Sequence, residues 1–292
     1  MAHPVIRYIH QIPAIKRAKA FRHRIFSGFF LSRDRKRGRD FAEKIGGNRV
    51  YAFAIAFNTP WAIDALTKSW EINGTGSRLI VVDNSRDQNS RAEIARICRL
   101  RDTPYFALPS NPENHANRNH GLAMSWTFHN IVRHLQPEIF GYIDHDNFPI
   151  REVDVAARMH GKLAYGHRRS AAGGRPGWYL WAGLCFMRFS AVEHIDLDFA
   201  PAFDEGMDTG GANWHRFYST LAADDVEVER GMPSSFRVDR LKALADTGAT
   251  FFHVGGASYD RLLTKDEVRR RVRDHVWQNY LGGVEHRMDG TE

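Results

Sequence analysis

The sequence predicts an α/β fold in which a mostly parallel central sheet is flanked by helices, with a smaller mixed sheet in the second half. Three observations predict it. Short apolar runs alternate with segments of helical periodicity through the first half of the chain. Several of those runs stop abruptly at polar residues, as strands do where they reach the edge of a layered core. The 292 residues, 43% hydrophobic and 26% charged, are enough for a sizeable core.

The first half reads as four strands. "VYAFAIAF" (50–57) is a buried strand closed by Asn58-Thr59-Pro60, with Pro60 suited to the first turn of a helix. "SRLIVVDNS" (77–85) is a second strand ending at Asp83, and "DQNSRAEIARICRL" (87–100) has helical spacing through Ile94, Ile97 and Leu100. "TPYFALP" (103–109) is the third strand. "NHGLAMSWTFHNIVRHL" (119–135) is a helix with Leu122, Trp126, Ile131 and Leu135 near one side, and "EIFGYID" (138–144) is the fourth strand.

The second half changes character. "GWYLWAGLCFMRF" (177–189) reads as one or two strands. Glycines cluster in "FDEGMDTGGANW" (203–214), and "GANWHRFYSTLAADD" (211–225) reads as a helix. "ATFFHVGG" (249–256) is a strand ending at a turn. "TKDEVRRRVRDHVWQNYLGG" (264–283) is a closing helix with Thr264 as N-cap, Glu267 three residues on and Gly282 as the stop.

The charge is unevenly spread. Residues 1–49 hold 13 Lys and Arg against 3 Asp and Glu, a net +10; the rest hold 28 against 31, a net −3. That basic segment also carries Phe26, Phe29, Phe30 and Leu31. It suits a peripheral contact with an anionic membrane, a contact with nucleic acid or a protein, or simply a solvated basic helix or tail. For the protein as a whole no nucleic-acid partner is expected. No signal peptide or membrane-spanning stretch is read, and Cys98 and Cys185 suggest free thiols in a reducing compartment. The expected location is the cytoplasm, with the inner face of the membrane as the place where the basic segment could dock.

Ligands of open α/β sheets bind beyond the carboxyl ends of the strands. Three strands end there in polar groups: Asn58-Thr59, Asp83-Asn84-Ser85 and Asp144-His145-Asp146. One such group often only caps the next helix; three on one edge suggest a site. Asp-x-Asp after a buried strand suits Mn²⁺ or Mg²⁺ held through oxygen, with a substrate phosphate completing the shell. In a locally extended chain the two carboxylates cannot serve one ion equally. Asp146 is expected to bind it, and Asp144 to reach a ribose or a metal-bound water. His253, at a strand end before Gly255-Gly256, is a further candidate ligand or a hydrogen-bonded wall residue. "NPENHANRNHG" (111–121) can wrap polar ligand groups at a helix N-terminus, or be an ordinary Asn-rich turn. Asp208, before Thr209-Gly210-Gly211, is either an acid beside backbone amides or a cap. Trp178, Tyr179 and Trp181 could pack on sugar rings or on the core.

Together these segments resemble the GT-A glycosyltransferases, particularly family 2. "VVDNSRD" resembles the Asp-Asn-Ser segment after the second strand. Arg118-Asn119-His120-Gly121 is similar to the end of the Asn-rich stretch, "YIDHD" to the Asp-x-Asp metal motif, "FDEGMD" to the Phe-Asp-Glu stretch before a catalytic acid, and "FFHVGGAS" to the late His-x-Gly-Gly-x-Ser element. These cover about residues 50–260; the first 49 are outside the resemblance.

The resemblance implies transfer of a sugar from a nucleotide-sugar donor, a UDP-sugar first, to a hydroxyl of a glycan or glycolipid, with inversion, as in polysaccharide biosynthesis. It implies donor contacts from Asn58, Thr59, Asp83, Ser85, Asn111, Asn119 and Asp144. It also implies an ion held by Asp146, His253 and Asp144, and sugar or acceptor contacts from Trp181, Gly183 and Gly210. The base would be Asp208. Because the family's Glu-Asp pair here reads Met207-Asp208, Asp204 and Glu205 stay open as alternatives. The implied organisation is a basic segment (1–49) and one catalytic domain (50–292). The domain divides into a nucleotide-binding half (50–150), an acceptor half (151–263) and a terminal helix (264–283). A GT-A-like nucleotidyltransferase and a non-catalytic nucleotide-sugar or carbohydrate-binding protein remain as other readings.

Overall fold

Strand β1 (Val50–Ala56) is buried along its whole length, and its side chains alternate between two layers of core. Tyr51, Phe53 and Ile55 join one apolar cluster; Val50, Ala52 and Ala54 join the other. That is the period-two signature of a strand covered on both faces. The architecture is that of a computed structural model, which describes residues 13–230, 249–258 and 266–282.

Around β1 lie β2 (Gly74–Thr75), β3 (Arg78–Asp83), β4 (Tyr105–Ala107), β5 (Ile139–Asp144), β6 (Asn147–Pro149), β7 (Val153–Asp154), β8 (Ala164–Ser170), β9 (Trp178–Arg188), β10 (Val226–Val228) and β11 (Phe251–His253). The main sheet has seven strands in the order β10-β8-β9-β5-β1-β3-β4. β5, β1, β3 and β4 run parallel, β10 runs parallel to β8, and β9 is antiparallel to both β5 and β8. The register sets Asp144 beside Ile55 and Asp83 beside Ala56, so these strand-end acids share one edge. The strands of the second half thus extend the same sheet as a mixed wing. Two-stranded ribbons, β6 with β11 and β2 with β7, stand apart from it.

Helices cover both faces. On one side α1 (Pro13–Ser32), α2 (Arg35–Ile45) and α5 (Ala116–Thr127) bury Phe30, Ala42, Ile45, Leu122 and Trp126. On the other, α3 (Pro60–Asn73) and α6 (Asp266–Tyr280) bury Leu66, Trp70, Val272, Val276 and Trp277. α4 (Gln88–Leu100) packs Ile94, Ile97 and Cys98 at the β3 end, and Asp87 caps it by accepting from the Ser90 amide at 2.7 Å. Pro60 occupies the first turn of α3. Cys98 and Cys185 are free and buried, and burial pushes both thiols up to about 12. Part of the basic segment therefore belongs to the core, since α2 and the end of α1 pack on α5 and on the π-helical stretch Phe128–Val132 that follows it.

The expected helix over 211–225 is not one. The stretch forms three separate 3₁₀ turns, Gly211–Asn213, Tyr218–Thr220 and Ala223–Asp225. Its aromatic residues have helical spacing because Phe217 and Tyr218 pack on the sheet cluster, not because the backbone is helical. The segment 177–189 is a single strand. The N-cap expected at Thr264 lies outside the described residues.

α5 lies unusually close to the segment leading to Asp208. A Cβ on Gly121 would fall 2.2 Å from the Phe199 carbonyl oxygen. Gly121→Ala must push backbone against backbone and should destabilise the fold by about 1–3 kcal/mol, the usual range for overpacking. A denaturant midpoint equal to the parent's would contradict this packing.

Candidate active site

The site is assembled by one ribbon. After β5 the chain turns through His145 and Asp146 into β6, which pairs antiparallel with β11, setting His253 opposite Asn147. The Val254 amide donates to the Asp146 carbonyl at 2.9 Å, and the Ala257 amide donates to Asp146 Oδ2 at 3.1 Å. Gly255 and Gly256 both take positive φ, which lets the chain fold back over the carboxylate. His253 Nε2 lies 3.5 Å from Asp146 Oδ1. One ligand atom from each of Asp144, Asp146 and His253 falls within 4.8 Å of the others.

Burial opposes both charges of the inner pair, and each partner overcomes it for the other. The Asp146 carboxyl is held well below the ordinary carboxylate value by the His253 imidazole, with help from His145 and the Ala257 amide. The His253 imidazole is raised above its ordinary value by Asp146 and then Asp144. His120 Nε2 stands 3.5 Å from Asp144 Oδ1 and is buried without a hydrogen-bond partner among the described residues. Burial pushes its imidazole below the ordinary value despite that neighbour. His145 points elsewhere with Nδ1, bonding the Ile55 carbonyl at 3.1 Å and so fixing the turn.

These groups open into a cleft of about 500 Å³. Asp208 also lines it. Its Oδ1 accepts from Asn117 Nδ2 at 2.5 Å and from the Thr209 amide at 2.8 Å. The Trp181 ring lies 4.5 Å from the His253 ring, with the Arg169 guanidinium 4.9 Å from its own ring centre. Gly183 lies beneath: a Cβ there would meet the Trp181 ring at 2.3 Å and Asp144 Oδ2 at 2.6 Å.

Of the residues expected from sequence, Asn119, Asp144, Asp146, Trp181, Asp208 and His253 line the cleft. Others stand behind it. Asp83 is fully buried and accepts from the Ser85 amide and the Tyr105 hydroxyl, both at 2.8 Å. Ser85 Oγ accepts from the Asn58 amide, and Asn58 Oδ1 accepts from the amide of Arg86, which does line the cleft. Asn111 Nδ2 donates to Asn84 Oδ1 and to the Asn119 carbonyl. Thr59 Oγ1 is buried and makes no hydrogen bond among the described residues. Gly210, at φ 90°, donates its amide to the Phe199 carbonyl. Asp204 is exposed, and Glu205 pairs with His215 at 3.1 Å; neither lines the cleft.

Sequence reasoning missed Arg86, Asn117, His120 and Arg169 as cleft residues. The first three sit inside or beside stretches already singled out, so neighbouring strand-end and Asn-rich signals could have found them. Arg169 had no such signal; only the pairing of β8 with β9 brings it to Trp181.

The chemistry of the donor set fits a divalent cation. Two carboxylates and an imidazole offer hard oxygen and borderline nitrogen ligands of the sort Mn²⁺ and Mg²⁺ accept. Asp144, Asp146 and His253 would hold the ion.

No family model matches the chain, and no curated protein matches it. Among solved structures it is similar to the galactosyltransferase LgtC in complex with donor and acceptor sugar analogs, with 14% identity, 79% of this chain and 96% of that chain covered, and a TM-score of 0.45. It is also similar to S. aureus TarS, with 15% identity and a TM-score of 0.39; the match covers 80% of this chain but only 40% of that one. A third similar structure is S. aureus TarS 1–349 in complex with UDP, with 14% identity, 80% and 67% coverage, and a TM-score of 0.39.

Asp146→Asn keeps the size of the side chain and an acceptor for the Ala257 amide. It should fold normally and lose Mn²⁺ affinity by roughly 100-fold or more, as removal of a direct ligand does at least what loss of a supporting partner does. In the metal-free protein the titration of the His253 imidazole, followed by NMR, should move downward, because burial remains when its main counter-charge is gone. Unchanged ion affinity in calorimetry would contradict the assignment.

Proposed function

We propose that the protein is a metal-dependent glycosyltransferase of the GT-A kind. It moves a sugar from a nucleotide-sugar, a UDP-sugar in the first instance, to a hydroxyl of a glycan or glycolipid with inversion. One observation carries the reading: Asp144, Asp146 and His253 converge within 4.8 Å at the carboxyl end of the parallel strands, in a cleft that Asp208 also lines. A bare capping role would not need acids and an imidazole from such distant parts of the chain in one place.

In this reading each side chain has a task. Asp146 and His253, with Asp144, hold the ion, and the ion when bound supplies positive charge to the departing diphosphate. Arg86 and Arg169, on the cleft wall, add cationic groups for the phosphates. Asn84 and Asn119, joined by an Asn84 Nδ2 to Asn119 Oδ1 hydrogen bond of 2.5 Å, form the polar wall of the nucleoside end. Asp83, Asn58, Ser85 and Asn111 brace that wall from behind. Trp181, above Gly183, offers an aromatic surface to the sugar.

Asp208 takes the acceptor proton as the acceptor oxygen bonds to the anomeric carbon and the bond from sugar to diphosphate breaks. Asn117 and the Thr209 amide both bond Oδ1, which fixes the carboxylate in one orientation. Asp204 and Glu205 are outside the cleft lining, which favours Asp208 over them as the base.

A panel of UDP-sugars assayed for Mn²⁺-dependent hydrolysis or transfer tests the activity. Asp208→Asn should bind nucleotide as the parent does and lose turnover by about 10²–10⁴-fold, the usual contribution of general-base catalysis. Asp204→Asn and Glu205→Gln should stay close to parent activity. A fully active Asp208→Asn would remove the inverting mechanism, and no turnover with any nucleotide-sugar would remove the reading altogether.

A further inference from the structure

From Phe21 onward helix α1 is anchored along one side and bare along the other. On the anchored side Phe30 is buried, His23 meets Asp198 at 3.4 Å, and Ser27 bonds His23. Near its end the Leu31 carbonyl accepts from Asn130 Nδ2 and the Arg33 carbonyl from Trp126 Nε1. The bare side carries Phe21, Ile25 and Phe29 at four-residue intervals, exposed by 66%, 53% and 60%. They are half of the large apolar side chains so exposed among the described residues, and they stand in one row about 12 Å long at 1.5 Å per residue.

Cations frame that row. Residues 21–40 hold 7 Lys and Arg against 2 Asp. The Arg22 guanidinium lies over Phe26 at 5.1 Å and that of Arg33 over Phe29 at 5.8 Å; Arg24 is exposed beside them. Arg35 and Arg39 continue the cationic surface onto α2. Bulky apolar groups between arginines, on the outside of an anchored helix, match the boundary layer of a lipid bilayer, where acyl chains and anionic headgroups meet.

We propose that this face docks on an anionic lipid bilayer. α1 lies in the plane of the interface, with Phe21, Ile25 and Phe29 entering it and Arg22, Arg24 and Arg33 meeting lipid phosphates and carboxylates. A spanning arrangement does not fit α1, which has five Lys and Arg within its 20 residues; among the described residues no helix is long and apolar enough to cross a membrane. A second copy of the same face would set these arginines against one another. A nucleic acid would satisfy the arginines but leave the apolar row in water. The anchoring also has a consequence for position. Asp198, which holds His23, leads into the segment that carries Asp208, and Arg33 donates to the Ser110 carbonyl, just before the loop and first turn of α5 whose Asn114 and Asn117 line the cleft. Docking would therefore hold the loops at the cleft near the headgroups. It goes beyond the proposed transfer reaction and does not depend on it.

The test is cosedimentation of the full chain with phosphatidylcholine vesicles made with and without phosphatidylserine. The parent should bind the anionic vesicles and not the neutral ones, and binding should weaken as salt is raised. The triple variant Phe21→Ser/Ile25→Ser/Phe29→Ser should lose binding by roughly 100-fold, since apolar burial supplies much of interfacial affinity. Its thermal unfolding should match the parent's, because the three side chains are exposed. Arg22→Glu/Arg24→Glu should fail in the same way on the anionic vesicles. The proposal is overturned if the parent ignores anionic vesicles. It is also overturned if the triple variant binds them like the parent, the result expected of a charge-only nucleic-acid surface. A parent that is a dimer while the triple variant is a monomer would overturn it too, in favour of a contact between copies.

Discussion

The antiparallel pairing of β6 with β11 is the constraint on which the site depends. Asp146 and Ala257 are 111 positions apart, yet the ribbon brings the Ala257 amide onto the Asp146 carboxylate. Closing so long a loop is costly in chain entropy, although the cost grows only slowly with length. Phe148, Phe251, Phe252 and Val254, all buried in one apolar cluster, offset it. Apolar burial thus holds two acids and an imidazole together that electrostatics alone would not gather, because Asp144 and Asp146 repel each other.

The cleft is a balance of opposite charges from different elements. Asp144, Asp146 and Asp208 bring negative charge to its lining; Arg86 and Arg169 bring positive charge. His120 and His253 show how environment divides one residue type. His253 is buried and His120 half-buried, but His253 sits directly against Asp146 and is raised, whereas desolvation lowers His120 although Asp144 is near. Within one cleft His253 is thus biased toward its charged form and His120, whose Nε2 faces the Asp144 carboxylate, toward its neutral one.

Much of the fold was legible in the sequence because buried parallel strands are short, apolar and closed by polar residues. Val50–Ala56, Arg78–Asp83, Tyr105–Ala107 and Ile139–Asp144 all lie within the runs that announced them. The meeting of Asp144, Asp146 and His253 was legible for the same reason, as two strands ended on those residues. The stretch 211–225 misled because its aromatic spacing serves packing on a sheet, which periodicity cannot tell from a helix face. Arg169 was illegible because its place depends on the β8–β9 register, a long-range fact with no local mark. Asp83 looked like a ligand group for being acidic at a strand end; its side chain instead ties Ser85 and Tyr105 together.

The central claim is that Asp144, Asp146 and His253 form one cation site facing a nucleotide cleft. Anomalous diffraction from crystals soaked with Mn²⁺ and UDP tests it most directly. The account predicts a manganese peak within coordination distance of Asp146 and His253, with the diphosphate on its open side toward Arg86 or Arg169. A peak elsewhere in the molecule, or UDP bound in the cleft with no manganese at these residues, would contradict it.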